Sequence, residues 1–150
     1  MATEQMDRND LAAVDFYGAC VCLGLNKAAR AISRKYDAAF RPIGITSGQF
    51  TILSALRREK PVPIGDLANL LGMDRTTLTR NVRPLENIEL VANRPDARDC
   101  RIRSLTLTPQ GRKLLREAVP LWRNAQRESN RRIGPNRWQE LKPALDLLSA

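Results

Sequence analysis

The chain has 150 residues, 43% of them hydrophobic but only 5% aromatic, which is enough for one aliphatic core of ordinary domain size. Its formal charge of +9, from 25 Lys and Arg against 16 Asp and Glu, favours a polyanionic partner, because pairing with phosphates releases condensed counterions. The complete absence of histidine excludes Ser-His-Asp and Cys-His nucleophilic machinery and mixed Cys/His zinc sites, so no enzyme, metal or cofactor is expected.

Three cysteines, Cys20, Cys22 and Cys100, make no even disulfide framework and read as reduced thiols. The first ten residues lack a basic stretch ahead of an apolar one, and no run of about 18 apolar residues occurs anywhere. The expected protein is soluble, cytoplasmic and unattached to a membrane.

From about Leu11 to Phe40 there is no proline, and Leu25, Ala28, Ala29, Ile32, Tyr36 and Phe40 recur at steps of three and four, which predicts one long amphipathic helix. Pro42 and Gly44 stop it, and Thr46 or Ser47 caps a second helix with Phe50, Leu53 and Leu56 as its apolar stripe. Glu59 to Pro63 reads as a loop, and Ile64 to Leu71 as a short helix ending at Gly72. Asp74 caps the next helix, which buries Leu78, Val82 and Leu85 and is expected to kink at Pro84. Leu90 to Asn93 and Ile102 to Leu107 read as a hairpin with a charged tip. Thr108 and Pro109 restart a helix that runs to about Ile133 with a bend at Pro120. Gly134 and Pro135 separate it from a last helix whose stripe is Trp138, Leu141, Leu145 and Leu148. The expected fold is mainly α with a small β-hairpin wing.

Helix, tight turn, helix and hairpin together make a winged helix-turn-helix. Burying Leu78, Val82 and Leu85 turns Arg75, Thr76, Thr77, Thr79, Arg80 and Arg83 to solvent. Arginine donates two parallel hydrogen bonds to guanine, and threonine bonds either edge or packs its methyl on thymine, so this face suits a major groove. The hairpin adds Arg94, Arg98, Arg101 and Arg103, with Asp96 and Asp99 spaced to orient some of them, as a wing entering a minor groove requires. A basic run from Arg112 to Arg137 lies outside this reader and reads as a solvated helix face that adds to the long-range field. The competing reading is a winged-helix protein-interaction module that never touches DNA, and a thiol peroxidase on Cys22 lacks an assisting histidine.

Over nearly its whole length the chain resembles the MarR family of bacterial regulators. The match is carried by Pro42–Phe50, by Leu67–Arg80, by the wing pattern Asp96-x-Arg98-x-x-Arg101, and by Leu107–Gly111. The resemblance implies a homodimer whose first and last helices intertwine, about 11–40 and 109–150, carrying two winged lobes, about 46–108, onto a pseudo-palindromic duplex operator. It places the wing-tip arginine at Arg101, held by Asp99. It further implies a repressor released when a small, often aromatic or phenolic, ligand enters the cleft between the lobes, or when a cysteine is oxidised. Tyr36, Phe40 and Phe50 are the candidate cleft residues, although a stripe at this spacing also suits simple core. Cys22 with Tyr36 fourteen residues later resembles the hydroperoxide-sensing branch, from which Asn26 and Ser47 depart where tyrosines are expected.

Overall fold

The computed structural model describes residues 13–96, 99, 101–134 and 136–149. Asp15 accepts a hydrogen bond from the Gly18 amide and caps a short helix α1 (Phe16–Ala19), and α2 follows over Val21–Phe40. The single helix expected up to Phe40 is therefore divided. Cys20 adopts an extended conformation, ψ 106°, and its Sγ accepts from the Leu23 amide, so it caps α2 instead of continuing α1. Local side-chain acceptors here satisfy amides that a continuous helix would have paired with carbonyls.

A 3₁₀ turn, Arg41–Ile43, closes on Gly44, whose φ of +70° belongs to the left-handed region that glycine enters without strain. Thr46 and Gln49 form a reciprocal capping box at the start of α3 (Ser47–Ala55). The segment read as a loop contains a strand, β1 (Val62–Pro63), which pairs with a partner more than forty residues later. Two residues carry no alternation to read, and Pro63 is tolerated because β1 is an edge.

Helices α4 (Ile64–Leu70) and α5 (Arg75–Asn87) flank a turn with Gly72 at φ +62°. α5 continues through Pro84 to Asn87 although proline removes the hydrogen bond to the Arg80 carbonyl, and both Pro84 and Arg80 are exposed. β2 (Val91–Pro95) and β3 (Arg103–Leu107) pair from Val91↔Leu107 to Pro95↔Arg103, giving a three-stranded antiparallel sheet in the order β1-β3-β2. Thr108 caps α6 (Pro109–Ile133), Gly134 ends it, and α7 (Arg137–Leu148) closes the chain.

The core joins Phe40 of α2 to Ile52, Leu53 and Leu56 of α3, Leu67 of α4, Leu78, Val82 and Leu85 of α5, and Leu105 of β3. Gly111 seats α6 on the sheet: a Cβ there would lie 2.0 Å from the Leu90 carbonyl oxygen. The predicted stripes of the outer helices fare differently. Leu25 and Ile32 of α2, and Trp138, Leu141 and Leu148 of α7, are exposed, whereas Tyr36 and Leu145 are half-buried and Phe40 is buried. Among the described residues no helix is long and apolar enough to cross a membrane.

Candidate nucleic-acid interface

The predicted reading face sits on one side of α5. Arg75, Thr76, Thr79, Arg80 and Arg83 line one shallow depression on the outer surface, opposite the buried Leu78, Val82 and Leu85. Thr77 stands apart. Its amide donates to Asp74 Oδ1 at 2.8 Å and its hydroxyl to Asp74 Oδ2 at 2.7 Å, so it belongs to the cap that starts the helix. These hydrogen bonds, the backbone one first, hold the Asp74 carboxyl below its usual range. The Thr79 hydroxyl donates back to the Arg75 carbonyl at 2.7 Å. The Arg75 guanidinium lies 2.8 Å from where a Cβ on Gly65 would be, so the bare backbone at the start of α4 leaves it room.

The wing is held by hydrogen bonds within its tip and across its base. Asp99 grips Arg101 three times: its Oδ1 accepts from the Arg101 amide at 2.9 Å and from Nε at 3.1 Å, and its Oδ2 accepts from Nη2 at 3.2 Å. This fork holds the Asp99 carboxyl low, through the Arg101 side chain first and its amide second. The Arg101 side chain is nevertheless 89% exposed. Asp96 accepts from the buried Ser104 hydroxyl at 2.9 Å, tying the base of the wing, and Arg103 Nε donates to Asn93 Oδ1 at 3.1 Å. Arg94 is exposed on β2. Arg98 and Cys100 lie outside the described residues.

Sequence reasoning missed Asn93 and Ser104, because their roles depend on strand register and not on any local pattern.

A cleft of about 720 Å³ opens between α2, α3 and α6. Tyr36, Phe50 and Trp122 are among its walls, and Arg57 and Arg123 supply cationic groups at its margin. Phe40, predicted here too, is fully buried behind the wall and stacks on Phe50 with ring centroids 4.7 Å apart, so it serves the core. Phe50 in turn faces Trp122 at 6.3 Å. Arg57, Trp122 and Arg123 were not foreseen, since nothing in the sequence signals that α3 and α6 converge.

Within one protomer Cys22 and Tyr36 are not brought together. They are fourteen residues apart on the unbroken α2, which at 1.5 Å per residue separates them by about 21 Å along the axis. The exposed Cys22 Sγ instead accepts from Asn26 Nδ2 at 3.2 Å, and Tyr36 donates to Gln126 Oε1 across the helix pair at 2.6 Å.

Known proteins share this architecture. The sequence profile of the MarR family matches residues 45–102, from the start of the second helical region to the wing. The chain is 29% identical over 93 residues to YwoH of Bacillus subtilis, an uncharacterized HTH-type transcriptional regulator, covering 62% of this chain and 67% of that one. It is 34% identical over 91 residues to the transcriptional activatory protein BadR of Rhodopseudomonas palustris, covering 59% of this chain but only 52% of BadR, so the match spans about half of that protein. The structure of the M. tuberculosis transcriptional regulator MosR in complex with DNA superposes with a TM-score of 0.79 at 35% identity, covering 87% of this chain and 93% of that one. With the fold, the wing pattern and near full-length likeness to such a regulator in agreement, the chain belongs to the MarR family of transcriptional regulators.

Proposed function

We propose that this chain is a cytoplasmic, homodimeric repressor that binds a pseudo-palindromic duplex operator through α5 and the β2–β3 wing. The observation that carries the reading is the pairing of two surfaces: an arginine and threonine face on α5, and an exposed Arg101 held ready by Asp99. A helix presents hydrogen-bond donors to a major groove while a wing arginine enters the adjacent minor groove. The DNA complex of MosR, a 35% identical relative, supports the same use of the fold here. In this reading residues 46–108 form the winged lobe, and 11–40 with 109–150 form the dimer. Selection from a random-sequence duplex pool tests it directly: an enriched two-fold-related site is expected, and an unenriched pool would contradict it.

Release follows when a small aromatic anion enters the cleft, where Tyr36, Phe50 and Trp122 offer ring surfaces and Arg57 and Arg123 offer charge. Titration with benzoate and hydroxybenzoates should change Trp122 fluorescence and lower operator affinity. No change in either on saturation would remove the ligand arm. Oxidation of the exposed Cys22 thiol is the second trigger, and it predicts that peroxide weakens DNA binding by the wild type but not by Cys22→Ser.

A further inference from the structure

The hydrogen-bonding capacity of the α5 face is one-sided. Among the five residues that share it, Arg75, Arg80 and Arg83 have only donors, and no carboxylate or carboxamide is present. Asn81, the one amide of α5 before the last turn, is half-buried. At 100° per residue it falls on the side of the helix away from that face. The threonines divide further. Thr77 spends its proton on Asp74, and Thr79 spends its proton on the Arg75 carbonyl, so Thr79 offers a methyl group and lone pairs but no donor. Only Thr76 keeps a free hydroxyl among the three.

In a major groove, a bidentate pair of acceptors is found on guanine alone, at N7 and O6, whereas adenine needs a side chain that both donates and accepts. From this inventory we infer that α5 discriminates bases chiefly through guanine, read by its arginine forks, with Thr79 packing on a thymine methyl and the adenine and cytosine amines met by single threonine hydroxyls at most, never by a bidentate pair. Arg80 and Arg83 are the freer readers: both are exposed and neither side chain makes a hydrogen bond or ion pair among the described residues, whereas Arg75 lies against Gly65. Arg80 is taken as the test position. This inference rests on the DNA-binding reading above and goes beyond it by naming what the helix reads.

The test uses the full-length protein and the duplex selected from the random pool, resynthesised with single modified bases. Replacing a half-site guanine by 7-deazaguanine removes N7 without altering pairing or the minor groove. At one or more guanines per half-site it should weaken binding by about fivefold or more. Replacing adenines by N6-methyladenine, which keeps the pairing hydrogen but covers the one facing the major groove, should change affinity by less than about twofold. Arg80→Gln should abolish the 7-deazaguanine penalty at one position and create sensitivity to the adenine amine when adenine is placed there. Arg80→Lys should keep the salt dependence and a reduced 7-deazaguanine penalty, because an ammonium still donates to guanine but lacks the planar fork. A selected duplex indifferent to 7-deazaguanine but weakened by N6-methylation of its adenines would overturn the inference while leaving DNA binding intact. Failure to enrich any duplex would overturn both.

Discussion

Arg101 shows how one residue is made ready for a partner. Three hydrogen bonds donated by its amide and guanidinium to Asp99 fix an otherwise solvated side chain, so less rotamer entropy remains to be lost when it meets DNA. Arg101→Ala should weaken operator binding by about ten- to a hundredfold, since a charge-assisted contact is worth about 1.5–3 kcal/mol. Asp99→Ala should cost less and leave the salt slope unchanged, because the number of cations facing DNA stays the same. Equal losses in a fluorescence-anisotropy titration would show that Asp99 does more than orient.

Asp74 acts at the same scale on stability. Its carboxyl is held below the ordinary 3.8, so its contribution is complete above that pH and disappears as the pH falls through the lower folded value. The melting-temperature gap between wild type and Asp74→Ala should therefore hold from neutrality to about pH 5 and close below pH 4. A gap unchanged at pH 2 would contradict the cap. Local relations such as Asp74 with Thr77 and Asp99 with Arg101 were legible in the sequence, because each is closed within three residues, and the cap at Thr46 was legible as one of two candidates. Asn93 with Arg103 and Tyr36 with Gln126 were not, because the folded register brings them together.

At the level of elements, the critical joint is the entry of α6 onto the sheet. Thr108 both caps α6 through the Gly111 amide and donates to the Glu89 carbonyl at 2.6 Å, while Gly111 lies against the Leu90 carbonyl. Glycine is required because any side chain would collide with backbone that cannot yield cheaply. Gly111→Ala should destabilise the fold by about 3 kcal/mol, and Thr108→Ala by about 1 kcal/mol, as read by urea unfolding. A neutral Gly111→Ala would mean that the joint is looser than this packing shows. The helix bounds here were readable from Thr108-Pro109 and Gly134, and the structure places α6 over the predicted residues. β1 was unreadable for the opposite reason: its only identity is its pairing with β3. Division of the first helix at Cys20 was equally hidden, since a sulfur cap leaves no sign in hydrophobic periodicity.

For the whole molecule, charge and exposed apolar surface point in complementary directions. Phe16, Tyr17, Val21 and Leu25 at one end of the chain, and Trp138, Leu141, Leu147 and Leu148 at the other, carry apolar side chains to the surface of a single protomer. The proposed two-fold dimer would bury them. Light scattering should accordingly give twice the chain mass, and Leu141→Glu with Leu148→Glu should lower it towards the monomer while the winged lobe stays folded.

The central claim is sequence-selective duplex binding, and one measurement addresses it most directly. The selected duplex and a scrambled duplex of equal composition are titrated with wild-type protein across about 50–200 mM salt. The account predicts tighter binding to the selected duplex at every salt concentration and a steep linear fall of log affinity with log salt for both. Equal affinity for the two duplexes, or affinity indifferent to salt, would contradict it.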